Sequence, residues 1–221
     1  MASIATLEAA VASVLYDTET GDQEYLSFSK DCLNWAFDNL YDSLDNLFYD
    51  GLTISSGNIN KGKLSYTVGT ALSTLSHLYK IEGDLQWLTK AETLIKASAT
   101  GSGALYNLAG YWNNPLKYLY LLFQGCADFA TYIGSASSLT SALVTEVNKQ
   151  GNYVYNYLQD GTSGFYYDNM LTAPTNVYQK YLATFGLSAA NLPEYCSSGA
   201  VKRSLLTNAA ASIVFYNQWR V

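Results

Sequence analysis

Two Gly-Asp pairs, each lying between helical patterns, constrain the fold of this chain more than any other feature. Gly83-Asp84 separates two segments of amphipathic helical spacing, and Gly21-Asp22 does the same near the N-terminus. Glycine ends a helix readily because it tolerates a left-handed backbone, and an aspartate at the next position can cap the following helix for about 1 kcal/mol. The pattern predicts helical hairpins in which Asp22 and Asp84 are caps rather than catalytic groups.

A tyrosine-centred segment follows each predicted hairpin. Tyr49, Tyr106 and Tyr167 recur about every 60 residues, which is the length of two helices and their connections. Gly103 and Gly164 precede two of these segments, as expected where a chain turns after a helix. Each unit is therefore predicted to contain a helix, a turn, a second helix and a short extended segment.

Apolar spacing predicts seven or eight helices. They are placed at Ser3–Tyr16, Gln23–Leu40, Lys63–Ile81, Leu85–Ala99, Asn113–Tyr132, Ser138–Leu158, Asn176–Phe185 and Ala200–Trp219. No linker, charge block or low-complexity segment interrupts the chain, so we predict one all-α hairpin-repeat domain over residues 1–221. Hairpins in series form either an open solenoid or a closed toroid.

The charge distribution argues against two classes of partner. The net charge is −6, and the 12 Lys and Arg residues are scattered, which is unlike a nucleic-acid surface or a polybasic membrane surface. No apolar run approaches the roughly 18 to 20 residues of a membrane-spanning helix. The first residues also lack the basic start of a signal peptide. We therefore predict no nucleic-acid partner and no membrane span.

Motifs for cofactor and metal chemistry are absent from the sequence. It contains no glycine-rich phosphate loop, no serine nucleophile elbow and no His-x-x-x-His pair. Cys32, Cys126 and Cys196 are too few and too irregularly spaced for a zinc motif, and they allow at most one disulfide. Cys126 lies in an apolar helical pattern and is predicted to be a buried thiol. We predict neither a cofactor nor a metal.

One predicted helix carries a polar face. Tyr66, Thr70, Ser73 and His77 are spaced by four, three and four residues, which places them on one side of the helix that begins near Lys63. In a toroid this face would line the central groove. His77, the only histidine, is a candidate acid or base, and a hydrogen-bonded structural histidine is the alternative because no carboxylate lies at an identifiable spacing.

Two further segments offer candidate site residues. Asp42, Asp45 and Asp50 lie close together and could form paired carboxylates or an oxygen-rich cation site, but a solvated turn-forming loop fits their spacing better. Trp112 lies between Tyr111 and Asn113-Asn114, a combination that suits a sugar-stacking platform. Packing in the core is the alternative for Trp112.

The segment from Tyr66 to Ala91 combines a tyrosine followed by a glycine, a Leu-Tyr pair, the Gly-Asp turn and an aromatic-Leu-x-x-Ala motif, found here at Tyr66, Gly69, Leu78-Tyr79, Gly83-Asp84 and Trp87–Ala91. This combination resembles glycoside hydrolase family 76, the α-1,6-mannanase-like proteins of bacteria and fungal cell walls. Asp50-Gly51-Leu52 and Leu116-Lys117 resemble two other motifs of the family. The order and spacing agree from about Gly21 to Phe123.

The resemblance implies an (α/α)6 toroid of six hairpins with a glycan groove at the mouth of the inner helices. With seven or eight helices, this chain would form a partial or contracted toroid. A retaining glycosidase needs two carboxyl groups about 5 Å apart, and the family is thought to take both from an adjacent Asp-Asp pair. This chain has no such pair, and Thr67-Val68 and a residue near Leu122 replace a polar amide pair and an arginine.

These departures predict a shortened, catalytically degenerate relative with no catalytic residues. The candidate substrate-binding residues are Asp50, Tyr66, His77, Trp112 and Lys117. The predicted role is binding of a cell-wall glycan or structural self-assembly, and the alternative is an active hydrolase of α-1,6-linked mannan. Apolar residues in the first and last helices, among them Leu7 and Trp219, predict homo-oligomers formed through the terminal hairpins. The resemblance implies an extracellular or cell-wall location.

Overall fold

A computed structural model describes residues 1–189 and 204–221 of the chain. These residues contain eight α-helices and a small three-stranded sheet. The helices are α1 (Ser3–Thr20), α2 (Gln23–Leu40), α3 (Ser65–Glu82), α4 (Leu85–Ser98), α5 (Leu116–Asp128), α6 (Thr140–Tyr153), α7 (Thr175–Phe185) and α8 (Leu205–Arg220). The all-α hairpin architecture predicted from apolar spacing is confirmed.

The two Gly-Asp turns form as predicted. Gly21 and Gly83 end α1 and α3 in the left-handed region, with φ of 72° and 68°. The side chains of Asp22 and Asp84 then accept hydrogen bonds from the amides of Glu24 and Gln86, at 3.1 and 2.9 Å. Both aspartates are therefore helix caps, and both of these turns are set by local chemistry.

The helices form two layers. An inner layer contains α1, α3, α5 and α8, which pack side by side in that order, while α2 and α4 pack on the outside of α1 and α3. Helices α3 and α5 run in the same direction, because Tyr66 meets Tyr118 near their starts and Ser73 meets Asp128 further along. The starts of these helices therefore lie at the same end of the layer.

Two glycines set the closest approach within the inner layer. A Cβ added at Gly69 of α3 would lie 2.1 Å from the Leu121 carbonyl oxygen, and one added at Gly125 of α5 would lie 2.2 Å from the Gly69 carbonyl oxygen. No side chain fits at either position without moving backbone. The Gly69 that contributes to the family resemblance therefore has a packing role, which is to bring α3 and α5 together.

The small sheet is larger than the sequence predicted. Strands β1 (Tyr41–Asp42), β2 (Leu47–Thr53) and β3 (Asn58–Lys63) pair antiparallel in the order β1-β2-β3. The prediction placed one extended segment near Tyr49 and began a helix at Lys63. Lys63 instead ends β3 and pairs with Tyr49, so α3 starts two residues later, at Ser65. The extended segments near Tyr106 and Tyr167 form only isolated bridges.

The remaining predicted boundaries differ by a few residues. Helix α5 begins after Pro115 rather than at Asn113, since proline lacks the amide donor of a helix interior and suits a helix start. Single π-helical turns at Phe129–Ile133 and Val154–Leu158 extend α5 one residue past its predicted end and α6 to its predicted end. Residues 200–203 of the predicted last helix, and Cys196, lie outside the described residues.

The structure also bears on the thiols, on membrane-spanning helices and on metal-binding groups. Cys126 is a fully buried free thiol whose pKa is raised by burial, as predicted, and Cys32 is a half-buried free thiol. Within residues 1–189 and 204–221, no helix is long and apolar enough to cross a membrane. The same residues contain no group of three His, Cys, Asp or Glu side chains arranged to hold a metal ion.

Candidate functional site

The starts of the inner helices bring together three of the five predicted site residues. Tyr66 lies in the first turn of α3, and Lys117 and Tyr118 lie in the first turn of α5. The two tyrosine rings are 5.4 Å apart in an edge-to-face arrangement. Asp50 of β2 contacts Tyr66, and Asp168 contacts Lys117. We call these five residues the helix-start cluster. It contains two aromatic rings, two carboxylates and an ammonium group.

Asp50 and Tyr66 form one half of the cluster. The Tyr66 hydroxyl donates a 2.6 Å hydrogen bond to Asp50 Oδ1, and Asn60 Nδ2 donates a 2.8 Å bond to Asp50 Oδ2. Burial first, and then the hydrogen bond to Asp50 and its charge, raise the pKa of the Tyr66 phenol well above its usual range. Both oxygens of Asp50 are therefore engaged, and they fix the orientation of the Tyr66 ring.

Asp168 and Lys117 form the other half. Asp168 Oδ2 lies 3.0 Å from Lys117 Nζ, while Oδ1 accepts bonds from the Lys117 amide at 3.0 Å and the Thr207 hydroxyl at 3.2 Å. The carboxylate thus lies at the start of α5, where helix amides and the helix dipole favour negative charge. The same carboxylate links α8 to α5, because it accepts hydrogen bonds from Thr207 of α8 and from Lys117 of α5.

Asp168 was not predicted as a site residue, although a sequence signal for it exists. The predicted repeat contains Tyr49-Asp50 in its first copy and Tyr167-Asp168 in its third. In both copies the aspartate after the central tyrosine bonds to the first turn of an inner helix. Comparing the aspartates of the two copies would have identified Asp168 from the sequence.

Two cavities adjoin this end of the molecule. A polar cavity of 270 Å³ is lined by Pro115, Lys117, Asp168, Asn169, Thr172, Ser204 and Thr207. A second cavity of 300 Å³ lies among aliphatic and aromatic side chains that include Leu119, Leu158, Met170, Tyr178, Tyr181 and Leu182, and we call it the apolar cavity. Asp168 and Asn169 line both, so the two cavities are neighbours.

Trp112 lies in the core rather than on an exposed platform. Its side chain is 2% exposed, its indole N–H donates a 2.7 Å bond to the Ser98 carbonyl, and its ring meets Phe123 edge-on at 5.2 Å. Trp112 is also one of the residues that line the apolar cavity. A fully packed indole cannot stack on a sugar, so the core alternative describes Trp112 correctly.

His77 lies away from the helix-start cluster. It is 11 residues after Tyr66, or about 16 Å along α3 at 1.5 Å per residue. Thr70, Ser73 and His77 are all at least 96% buried, so this polar face packs inside the protein and does not line a groove. The predicted groove-lining role is therefore wrong for these three residues, and only Tyr66 remains partly accessible.

The surroundings of His77 include a carboxylate that sequence spacing could not reveal. Its ring packs 4.5 Å from Tyr132, and its Nδ1 has no hydrogen-bond partner among the described residues. Burial lowers the pKa of His77, Lys80 and Arg220 lower it further, and Asp128 opposes them. Asp128 accepts hydrogen bonds from Ser73 and, at 2.7 Å, from Arg220.

The aspartates of the β-hairpin region form an ion-paired cluster rather than a solvated loop. Lys63 Nζ lies 2.9 Å from Asp42 Oδ2 and 3.1 Å from Asp45 Oδ1, and it also lies over the Tyr49 ring at 3.9 Å. Hydrogen bonds from Lys63 and Tyr49 lower the pKa of Asp42 to about 2. Paired carboxylates are present, but an ammonium group lies between them, which suits neither a general acid nor a cation site.

Comparison with known proteins connects this fold to carbohydrate-active enzymes. A GH76 α-mannanase of Bacteroides thetaiotaomicron covers 100% of this chain at a TM-score of 0.70 and 20% identity. The α-1,6-mannanase GH76A of Salegentibacter sp. HEL1_6, an inactive variant in complex with α-1,6-mannotetrose, covers 99% at a TM-score of 0.77 and 15% identity. These similarities establish a fold of the (α/α)6 toroid type.

The relatives are longer than this chain. It spans 53% and 58% of the two bacterial mannanases, and 40% of the Meiotically up-regulated gene 191 protein of Schizosaccharomyces pombe, to which it is 27% identical over 183 residues. The family model "Glycosyl hydrolase family 76" matches residues 1–108, which include the β-hairpin, Tyr66 and the Gly-Asp turns. Residues 1–108 therefore match the family that the motifs between Tyr66 and Ala91 resemble.

Proposed function

We propose that this protein binds an α-mannose-containing glycan at the helix-start cluster and does not hydrolyse it. The observation that carries the proposal is the combination of Tyr118, 38% exposed, with Lys117 and Asp168 at the start of α5. An accessible aromatic face suits the apolar side of a pyranose ring, and charged groups beside it can bond to sugar hydroxyls. A mannanase of similar fold was solved, as an inactive variant, in complex with α-1,6-mannotetrose.

The state of the carboxylates favours binding without cleavage. A retaining glycosidase needs a nucleophile and a protonated acid about 5 Å apart. Asp50 already accepts bonds from Tyr66 and Asn60, and Asp168 is held by Lys117 and Thr207. In the Salegentibacter mannanase, the variant described as inactive is substituted at two adjacent aspartates, and this chain contains no adjacent pair.

The alternative is an active hydrolase of α-1,6-linked mannan, which the match of residues 1–108 to the family model supports. One experiment separates the two. The protein is titrated with α-1,6-mannotetraose by calorimetry, and the same mixture is analysed for mannose and mannobiose after prolonged incubation. Saturable binding with an intact tetrasaccharide is the expected result. Release of shorter products would establish the hydrolase, and the absence of both binding and products would overturn the glycan proposal.

A second candidate role, self-association, rests on exposed apolar side chains at the two ends of the inner layer. Helix α8 exposes Ile213, Tyr216 and Trp219, the last by 81%, and α1 with α2 forms an apolar groove that includes Ala9 and Trp35. We propose that the α8 face of one copy packs into the α1–α2 groove of another, because burying apolar surface drives association.

Sedimentation equilibrium tests this association. The wild-type protein is expected to form concentration-dependent oligomers that Trp219→Asp abolishes. Leu44→Asp is the matched control, because Leu44 is 91% exposed in the connection between β1 and β2 and lies in neither surface. A wild-type protein that stays monomeric at high concentration would overturn the proposal.

A further inference from the structure

The apolar cavity has little polar capacity left for a sugar. Although four asparagines line it, their side-chain oxygens are already engaged, and that of Asn169 accepts a 3.2 Å bond from the Thr172 amide. Asn107 Oδ1 accepts bonds from the amides of Ala109 and Tyr111, at 3.0 and 3.1 Å. Asn113 Oδ1 accepts from Asn114 Nδ2 at 2.9 Å, and Asn114 Oδ1 accepts from the Ser65 amide.

The tyrosines of the apolar cavity are likewise engaged with each other. The hydroxyls of Tyr153 and Tyr181 are hydrogen-bonded together, and Tyr181 also accepts a 3.4 Å bond from Asn107 Nδ2. Both side chains are 6% exposed. What these residues present to the cavity is therefore mainly ring surface, beside the aliphatic side chains of Leu119 and Leu182. Such a lining favours an apolar ligand over a hydroxylated one.

The volume is sufficient for an aromatic or short alkyl group. An engineered apolar protein cavity of about 150 Å³ holds a benzene ring, and this cavity measures 300 Å³. It is also adjacent to the polar cavity, since Asp168 and Asn169 line both. The polar cavity, with Lys117 and Thr207, supplies the charged and hydroxyl groups that a sugar requires.

From this arrangement we infer that the preferred ligand is an amphiphilic glycoside, with its sugar in the polar cavity and an apolar aglycone in the apolar cavity. The inference rests on the proposed glycan binding and adds the class of ligand. In this arrangement the glycosidic link lies beside Asp168 and Asn169, the two residues that line both cavities. A free sugar would fill only one of the two neighbouring cavities.

The test compares phenyl α-mannoside with methyl α-mannoside by calorimetry, with α-1,6-mannotetraose as the reference for glycan binding. Burying the phenyl ring is expected to tighten binding at least about tenfold relative to the methyl glycoside. Leu182→Trp fills the apolar cavity and is expected to remove this gain while leaving the affinity for methyl α-mannoside unchanged. Leu85→Trp is the matched control, because Leu85 is 66% exposed at the start of α4, and it should preserve the gain.

A second measurement keeps the test valid if Leu182→Trp fails to fold. In methyl-labelled wild-type protein, phenyl α-mannoside should shift the resonances of Leu119 and Leu182 but not that of Leu85. Equal affinities for the phenyl and methyl glycosides, or unshifted Leu119 and Leu182 methyls, would overturn this inference while leaving glycan binding intact. If no glycoside and no mannotetraose binds, both this inference and the proposed function fail.

Discussion

Asp50 in β2 and Tyr66 in the first turn of α3 are joined by a 2.6 Å hydrogen bond, although they are 16 residues apart in sequence. Asp168 likewise accepts a hydrogen bond from the backbone amide of Lys117 in α5, which is 51 residues away in sequence. In both cases a carboxylate that follows a repeat tyrosine holds the first turn of an inner helix. The repeat therefore builds the candidate site as well as the scaffold.

Substituting Asp50→Asn should weaken the hydrogen bond that orients the Tyr66 ring and should lower the affinity for the glycan. The neutral amide is a poorer acceptor than the carboxylate, so we expect a loss of about 1 kcal/mol in the free energy of unfolding. The pKa of the Tyr66 phenol should fall, because Asp50 helps to raise it. Urea denaturation and NMR titration of ¹³Cζ-labelled tyrosine measure the two effects. Asp31→Asn, at an exposed site on α2, is the control, and an unchanged Tyr66 pKa would contradict the assignment.

Substituting Gly69→Ala should destabilise the protein severely. The new methyl group would meet the Leu121 backbone carbonyl at 2.1 Å, so α3 and α5 would have to separate. Overpacking of this kind typically costs about 1 to 3 kcal/mol, and more where backbone must move. Gly151→Ala is the matched helical control, because the atoms nearest to its methyl group would belong to the flexible end of the Gln218 side chain. Equal unfolding free energies for the two variants would refute the close approach of α3 and α5.

Much of the fold follows from local patterns. Glycine and aspartate at the turns, and apolar residues at helical spacing, identify α1 to α4 to within a few residues. The sheet was underestimated because β3 is short, polar and exposed apart from Lys63 at its end, so it lacks the alternation of a half-buried strand.

The candidate site was harder to predict because it depends on contacts between distant segments. Thr70 and Ser73 suggested a groove-lining face, but the Thr70 hydroxyl bonds to the Tyr66 carbonyl at 2.8 Å and the Ser73 hydroxyl bonds to Asp128, so these side chains can be buried. The pairing of Lys117 with Asp168 and the burial of Trp112 follow from how loops meet, which spacing along one element does not encode.

Protonation of His77 should make stability depend on pH near neutrality. Its pKa is lowered in the folded state, so the unfolded chain binds a proton first as the pH falls. Stability should therefore be full above the ordinary histidine pKa of about 6.5 and should fall as the pH drops below it. Lys80, Arg220 and Asp128 are the charged groups around the ring. Thermal unfolding between pH 7.5 and 5 should show this slope in the wild type and a smaller one in His77→Phe. Identical slopes would contradict the account.

Substituting Lys63→Met should raise the pKa of Asp42 from about 2 toward its ordinary value of 3.8. A lowered carboxyl pKa contributes stability that is present above the ordinary value and is lost as the pH falls toward the folded value. The pH dependence of stability between about pH 4 and 2 should therefore be smaller in the variant than in the wild type. NMR titration of the Asp42 carboxyl carbon gives the pKa directly. Lys61→Met, at an exposed position of the same strand, should leave it unchanged.

The central claim, glycan binding at the helix-start cluster, is tested most directly by calorimetry of α-1,6-mannotetraose with Tyr118→Ala. Tyr155→Ala is the control, because Tyr155 is 57% exposed but lies in the π-helical turn after α6. Removing an aromatic sugar platform should weaken binding at least about tenfold, whereas the control should bind like the wild type. Equal affinities for all three proteins would contradict the placement of the glycan at this cluster.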